Sequence, residues 1–134
     1  MNELPGPDII VDELVAVATK AYQEAILQGP TPDLEPDIAN SSQAAYQYSL
    51  FVLKAPFPLG EPAIALDTQT AFQYSLFVLN APFPSGESAI ALNCDTSYRY
   101  AVEVLKAPFP EGEAIINASS LAKDYMNFIV NLAS

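Results

Sequence analysis

The side chains able to do chemistry in this chain are carboxylates and tyrosines. Acids alternate at Asp33, Glu35 and Asp37, and a glutamate recurs every 26 residues at Glu35, Glu61, Glu87 and Glu113. Alternating acids open a calcium loop, but such a loop needs a turn glycine and a twelfth-position Glu, and Ala44 stands there. The evenly spaced glutamates are too far apart to share an ion, since stacked helices lie about 8 to 10 Å from one another. A carboxylate in the first turn of a helix meets the positive end of the helix dipole, and capping accounts for the ladder. The chain has no histidine, hence no imidazole base or ligand, and its one cysteine, Cys94, has neither a histidine nor a second thiol to work with. No GxGxxG, Walker A or zinc-type cysteine pair is present. The expectation is no catalysis, no cofactor and no bound metal.

These residues are placed by repetition. Residues 41–66 and 67–92 agree at 19 of 26 positions, and APFP returns at Pro56, Pro82 and Pro108. Backwards at the same offset, Tyr22, Pro30, Pro32, Glu35 and Ile38 fall on Tyr48, Pro56, Pro58, Glu61 and Ile64. Forwards, residues 97–117 continue with one residue missing from the second element, so that Tyr125 falls on Tyr100 at an offset of 25. A period of this length predicts an all-α helical repeat, a solenoid-like stack of five long and four short helices. Its handedness is left open by the repeat. One domain is expected over 1–134: an irregular lead-in at 1–8, units at about 15–40, 41–66, 67–92 and 93–117, and a last helix at 118–134.

Each unit reads as a long helix, a proline corner and a short helix. Asp8 is the candidate N-cap of the first helix, which begins near Ile9. Ser41 or Ser42, Asp67, Asp95 or Thr96, and Ser119 or Ser120 are the candidates for the others. The residue before a proline is pushed out of helical geometry, so Ala55, Ala81 and Ala107 are expected to end the long helices. Pro58, Pro84 and Pro110 suit the first position of the short ones. In the first helix, Ile10, Leu14, Val17, Ala21 and Ala25, with Val11, Val15, Ala18, Tyr22 and Ile26, predict a broad apolar face. The tyrosine column Tyr22, Tyr48, Tyr74, Tyr100 and Tyr125 reads as structural, its rings between layers and its hydroxyls satisfied at an edge.

The polar face carries the functional signal. Rows through Gln47, Gln73, Arg99 and Asp124, and through Lys54, Asn80, Lys106 and Asn131, are expected to face water. Between them runs Ala25, Phe51, Phe77, Glu103, Phe128. Phe51 and Phe77, with Phe128, Gln47 and Gln73, are therefore candidate partner-binding residues. The competing reading rolls the helix further and tucks both rings under the next repeat.

The 134 residues carry 16 acids against 5 bases, a net charge of −11 with 51% hydrophobic content, so the chain folds and repels nucleic acid and anionic membrane. The acid is concentrated in residues 1–40, where Asp8, Asp12, Glu13, Asp33, Glu35 and Asp37 form a candidate acidic surface. Duplex DNA would place about 28 charges along five such layers, so mimicry of a whole duplex is disfavoured. No apolar run approaches the roughly 18 residues of a membrane helix, the N-terminal residues lack a signal-peptide pattern, and the lone cysteine suits a reducing cytoplasm.

The unit AxxYxxxVLKAPFPxGExAIA, matched most fully by residues 100–115 (YAVEVLKAPFPEGEAI), resembles tandem short helical repeats of the form YAxxVLKGxFPEGExAIA in uncharacterised phage and large-virus proteins. The likeness covers about residues 20–130. Here alanine stands at 55, 81 and 107 where those repeats have glycine, and phenylalanine replaces a basic or polar residue at 51 and 77. It implies the fold and a viral origin, with the host cytoplasm as location, but no reaction. The expected function is a non-catalytic protein–protein interaction module, binding a protein partner or, as a homodimer, itself. The alternative is an acidic phage-type inhibitor, anti-defence or anti-CRISPR-like, that blocks a basic nucleic-acid-binding surface of a host complex.

Overall fold

The computed structural model describes residues 7–133, with side chains from residue 12 onward. It is an all-α helical repeat in which long and short helices alternate, with no strand among the described residues. The chain divides into two compact units, Met1–Ile64 and Ala65–Ser134.

In the first unit a long helix α1 (Pro7–Gln28) is followed by a 3₁₀ turn (Pro32–Leu34) that runs into the short α2 (Glu35–Ile38). Helix α3 (Ser42–Gln47) continues as a π-helix over Tyr48–Leu53, and a second 3₁₀ turn (Pro58–Gly60) leads into α4 (Glu61–Ile64). The second unit repeats this grammar. Helix α5 (Thr68–Gln73) becomes π-helical over Tyr74–Leu79, and a turn at Pro84–Gly86 starts α6 (Glu87–Ile90). Helix α7 (Cys94–Arg99) continues as a π-helix over Tyr100–Leu105, followed by α8 (Pro110–Asn117) and α9 (Ala122–Leu132).

The long helices do not end where proline logic places the break. They end one residue earlier, at Lys54, Asn80 and Lys106, which are left-handed with φ of 54°, 49° and 53°. Ala55, Ala81 and Ala107 are not left-handed. Instead their N–H groups donate to the carbonyls of Ser49, Ser75 and Ala101, which also accept from Lys54, Asn80 and Lys106. The alanine that replaces an expected glycine therefore costs the fold nothing. Ser49 and Ser75 donate their hydroxyls to the carbonyls of Tyr46 and Phe72 at 2.6 Å. Those bonds are not the cause of the π turn, since Ala101 forms it without a hydroxyl.

Three N-caps sit at the same place in the repeat. Ser41, Asp67 and Asn93 accept from the N–H of Ala44, Thr70 and Thr96. Asn93 thus takes the role expected of Asp95 or Thr96. Thr96 is drawn inward to donate to the carbonyl of Ile90. Ser119 accepts from Leu121 N–H just ahead of α9, whose own N-cap residue, Leu121, makes no side-chain cap. Helix α1 begins at Pro7, so Asp8 lies inside its first turn rather than at the cap; the rest of the expected lead-in, 1–6, falls outside the described residues.

The core is built around the corners. Phe57, Phe83 and Phe109 are buried and meet the rings of Tyr48, Tyr74 and Tyr100 at centroid distances of 4.9–5.1 Å. Ile38, Ile64, Ile90 and Ile116 are fully buried on the short helices. A Cβ at Gly86 would stand 2.6 Å from the Phe83 ring and 3.0 Å from Ala71 Cβ, so glycine lets the corner close on the long helix. In α1 the buried residues are Ala18, Ala21 and Ala25, whereas Leu14, Val15, Val17 and Ile26 are exposed. The expected broad apolar face is thus divided. Small side chains admit the close packing of α2 and α3, and the large aliphatics beside them stay outside.

Gly86→Ala is expected to cost about 1–3 kcal/mol by overpacking. Lys106→Gly is expected to stabilise by about 0.5–1 kcal/mol by relieving a left-handed residue. Ala107→Gly should lose about 0.5–1 kcal/mol through backbone freedom alone. Urea unfolding of the three variants, read by circular dichroism, checks all three signs.

Candidate functional site

The tyrosine column and the glutamate ladder, read separately in the sequence, are one device. Tyr48 donates its hydroxyl to Glu35 Oε2 at 2.7 Å and accepts from Thr31 N–H at 3.1 Å. In the second unit Tyr100 donates to Glu87 at 2.6 Å and accepts from Phe83 N–H at 2.9 Å. Tyr125 does the same with Glu113 at 2.6 Å and Phe109 N–H at 3.0 Å. Each hydroxyl fastens a long helix to the corner of the preceding repeat. Glu35 is therefore committed to Tyr48 and is not a free member of the acidic surface. Asp12, Glu13, Asp33 and Asp37 are exposed, and the side chain of Asp8 lies outside the described ones. Among the described residues no group of three acidic or cysteine side chains is placed to hold a metal ion. The signal for the clasp was present as a constant spacing of 13 between Glu and Tyr, shortened to 12 where the last short element lost a residue.

Phe51 is 60% exposed and Phe77 55% exposed, so neither ring is tucked under a neighbouring repeat. Phe128 is half-buried, its ring 6.4 Å from that of Tyr125. Gln47 and Gln73 are half-buried rather than fully solvated. Glu103, at the equivalent of Phe51 and Phe77, pairs with Arg99 at 2.8 Å, while the Arg99 guanidinium lies 4.9 Å over the Phe72 ring.

In the first unit Phe51 belongs to a groove of about 350 Å³ lined by Tyr22, Ile26, Gly29, Phe51, Val52 and Lys54. One wall is the C-terminal part of α1, stopped at Gly29 with φ 86°. The other is the π-helical segment of α3 and its left-handed end at Lys54. Ile26 is 51% exposed, and Leu27 beside it is 88% exposed. A smaller groove of about 160 Å³ in the second unit shares the positions of one wall, with Glu103, Val104 and Lys106 in place of Phe51, Val52 and Lys54, while its other wall is built from Ser75, Leu76 and Asn80. Glu103 in place of an aromatic ring, together with Ser75 and Asn80 on the other wall, makes this groove polar where the first is apolar. Sequence reasoning found Phe51 but missed Tyr22 and Ile26, because their row was assigned to the core of α1.

No protein-family model, curated protein sequence or solved structure matches the chain, so the likeness to viral repeats rests on the motif alone. No helix of the described residues is long and apolar enough to cross a membrane.

Burial first, and then the hydrogen bond to Glu35 or Glu113, pushes Tyr48 and Tyr125 up to about 12 from 10.0. Tyr100 is raised for the same reasons, by burial and by Glu87. Because the folded-state values lie above the unfolded one, the stability is fully present below about pH 10 and is lost as pH rises toward about 12. Alkaline unfolding followed by circular dichroism should show no loss up to about pH 10 and a collapse between about 10 and 12. Tyr100→Phe, which leaves Glu87 and Phe83 N–H without their partner, is expected to cost about 1–3 kcal/mol at neutral pH.

Proposed function

We propose that this chain is a non-catalytic protein-binding module whose first unit uses the groove between α1 and α3 to hold an apolar side chain of a basic protein segment. The observation that carries this reading is the exposure of Phe51 and Ile26 on facing walls of one groove, where the groove beside Glu103 in the second unit is polar. Bare aromatic and aliphatic side chains that converge on a concavity mark a docking site. Lys54 at the rim is the nearby cation; the rest of the unit is strongly acidic. Residues 1–64 hold nine acids against Lys20 and Lys54, a net charge of −7 by count. That field steers a basic segment toward the groove and repels a second acidic copy. The apolar contact then supplies the affinity, and the charge supplies the rate and the choice of partner.

A displayed peptide library panned against the chain tests this. Selected peptides should pair an aromatic or aliphatic residue with flanking Lys or Arg. Their affinity should fall at least about tenfold, some 1.4 kcal/mol, in Phe51→Ser and in Ile26→Ser, with urea midpoints unchanged. Leu92→Ser, an exposed leucine of the second unit, serves as the control and should bind as the parent does. Peptides without basic residues, or binding indifferent to Phe51→Ser, overturn the proposal.

A further inference from the structure

The groove of the first unit adjoins a corner unlike the later ones. The residue whose N–H meets the tyrosine hydroxyl is a phenylalanine at 83 and at 109, each with its ring buried. At the equivalent place the first corner has Thr31, half-buried, whose hydroxyl donates to the carbonyl of Gly29 at 2.8 Å. Gly29 is part of the groove, left-handed with φ 86°, and a Cβ placed on it would meet nothing within 4 Å. Its N–H closes α1 on the carbonyl of Ala25 at 2.7 Å.

The same threonine reaches the other wall. Its N–H donates to Tyr48 Oη at 3.1 Å, and that hydroxyl donates in turn to Glu35 Oε2 at 2.7 Å. Tyr48 is fully buried and opens the π-helical segment Tyr48–Leu53, which carries Phe51 and Val52. A chain of hydrogen bonds thus runs from Gly29 through Thr31 to Tyr48, from one wall of the groove to the other. Neither Thr31 nor Tyr48 lines the groove itself.

On the reading of this groove as the docking site, we propose that Thr31 and Tyr48 are positioning residues for binding, which fix the spacing of Gly29 from Phe51 and with it the size of the side chain admitted between them. A wall held in place before the partner arrives need not be ordered on binding, and that saving appears as affinity. Cutting the tie leaves Phe51 and Ile26 in position but frees the end of α1. Affinity then falls although no contact residue has changed.

The probe is the tightest peptide of the displayed library, titrated calorimetrically against the full chain. Thr31→Val, which removes the bond to Gly29, and Tyr48→Phe, which removes the bond between the walls, are each expected to weaken binding about fivefold, the worth of one hydrogen bond. Thr31→Ser keeps the hydroxyl and should recover most of the loss. Tyr125→Phe cuts the corresponding clasp of the second unit and should bind as the parent does. A second arm uses the unmutated chain and does not depend on Tyr48→Phe folding. With peptide at about ten times its Kd, amide hydrogen exchange at Thr31 should slow about tenfold, and at Phe109 less. Binding that Phe51→Ser weakens but Thr31→Val and Tyr48→Phe leave alone overturns this inference and spares the groove, whereas binding indifferent to Phe51→Ser overturns both. Equal losses in Tyr48→Phe and Tyr125→Phe, or equal slowing at the two amides, reduce the tie to general stability and overturn the inference as well.

Discussion

A buried tyrosine hydroxyl, at Tyr48, Tyr100 and Tyr125, sets the terms for the rest of the structure. A buried hydroxyl must donate and accept, and here it donates to a glutamate and accepts a backbone N–H of the preceding corner. The glutamate has to open the short helix and the amide has to be presented by the corner, so three segments are held in register by one oxygen. The spacing between Glu and Tyr is fixed at 13, and where the last short element lost a residue it shortened to 12 with the bonds intact. Repetition of sequence is thus the trace of a repeated hydrogen-bond requirement.

The corner supplies the remaining constraints. A phenylalanine ring packs on the same tyrosine, and a glycine lets the short helix approach the long one. The long helix widens into a π turn and stops at a left-handed residue. Positions outside this framework are free to change, and they are where the copies differ. Phe51, Phe77 and Glu103 occupy one position and give grooves of opposite character on the same scaffold.

The alternation of long and short helices was legible because proline, glycine and the tyrosine period act locally and recur. The π segments were not. Over the twelve residues from Ser42 to Leu53, spacings of three and four fit a wide helical turn as well as a narrow one. Nor was the left-handed end legible, since a lysine at position 54 carries no sign of positive φ. The face of α1 was misread for a different reason: hydrophobicity points to Leu14, Val17 and Ile26, but close packing selected Ala18, Ala21 and Ala25. That error concealed the α1 wall of the groove, Tyr22 and Ile26, while Phe51 stood out as an aromatic on an otherwise polar row.

By itself the sequence determined the repeat, its corners and the residues of the clasp, because these depend on backbone geometry and on spacing along the chain. It also determined the acidic charge. Tertiary structure alone decided that tyrosine and glutamate are partners, that alanines rather than leucines face inward on α1, and that Phe51 is bare. The physical reason is common to all three. Each depends on how closely a neighbouring element can approach, and that distance is fixed by side-chain volume and hydrogen-bond geometry across the packed faces.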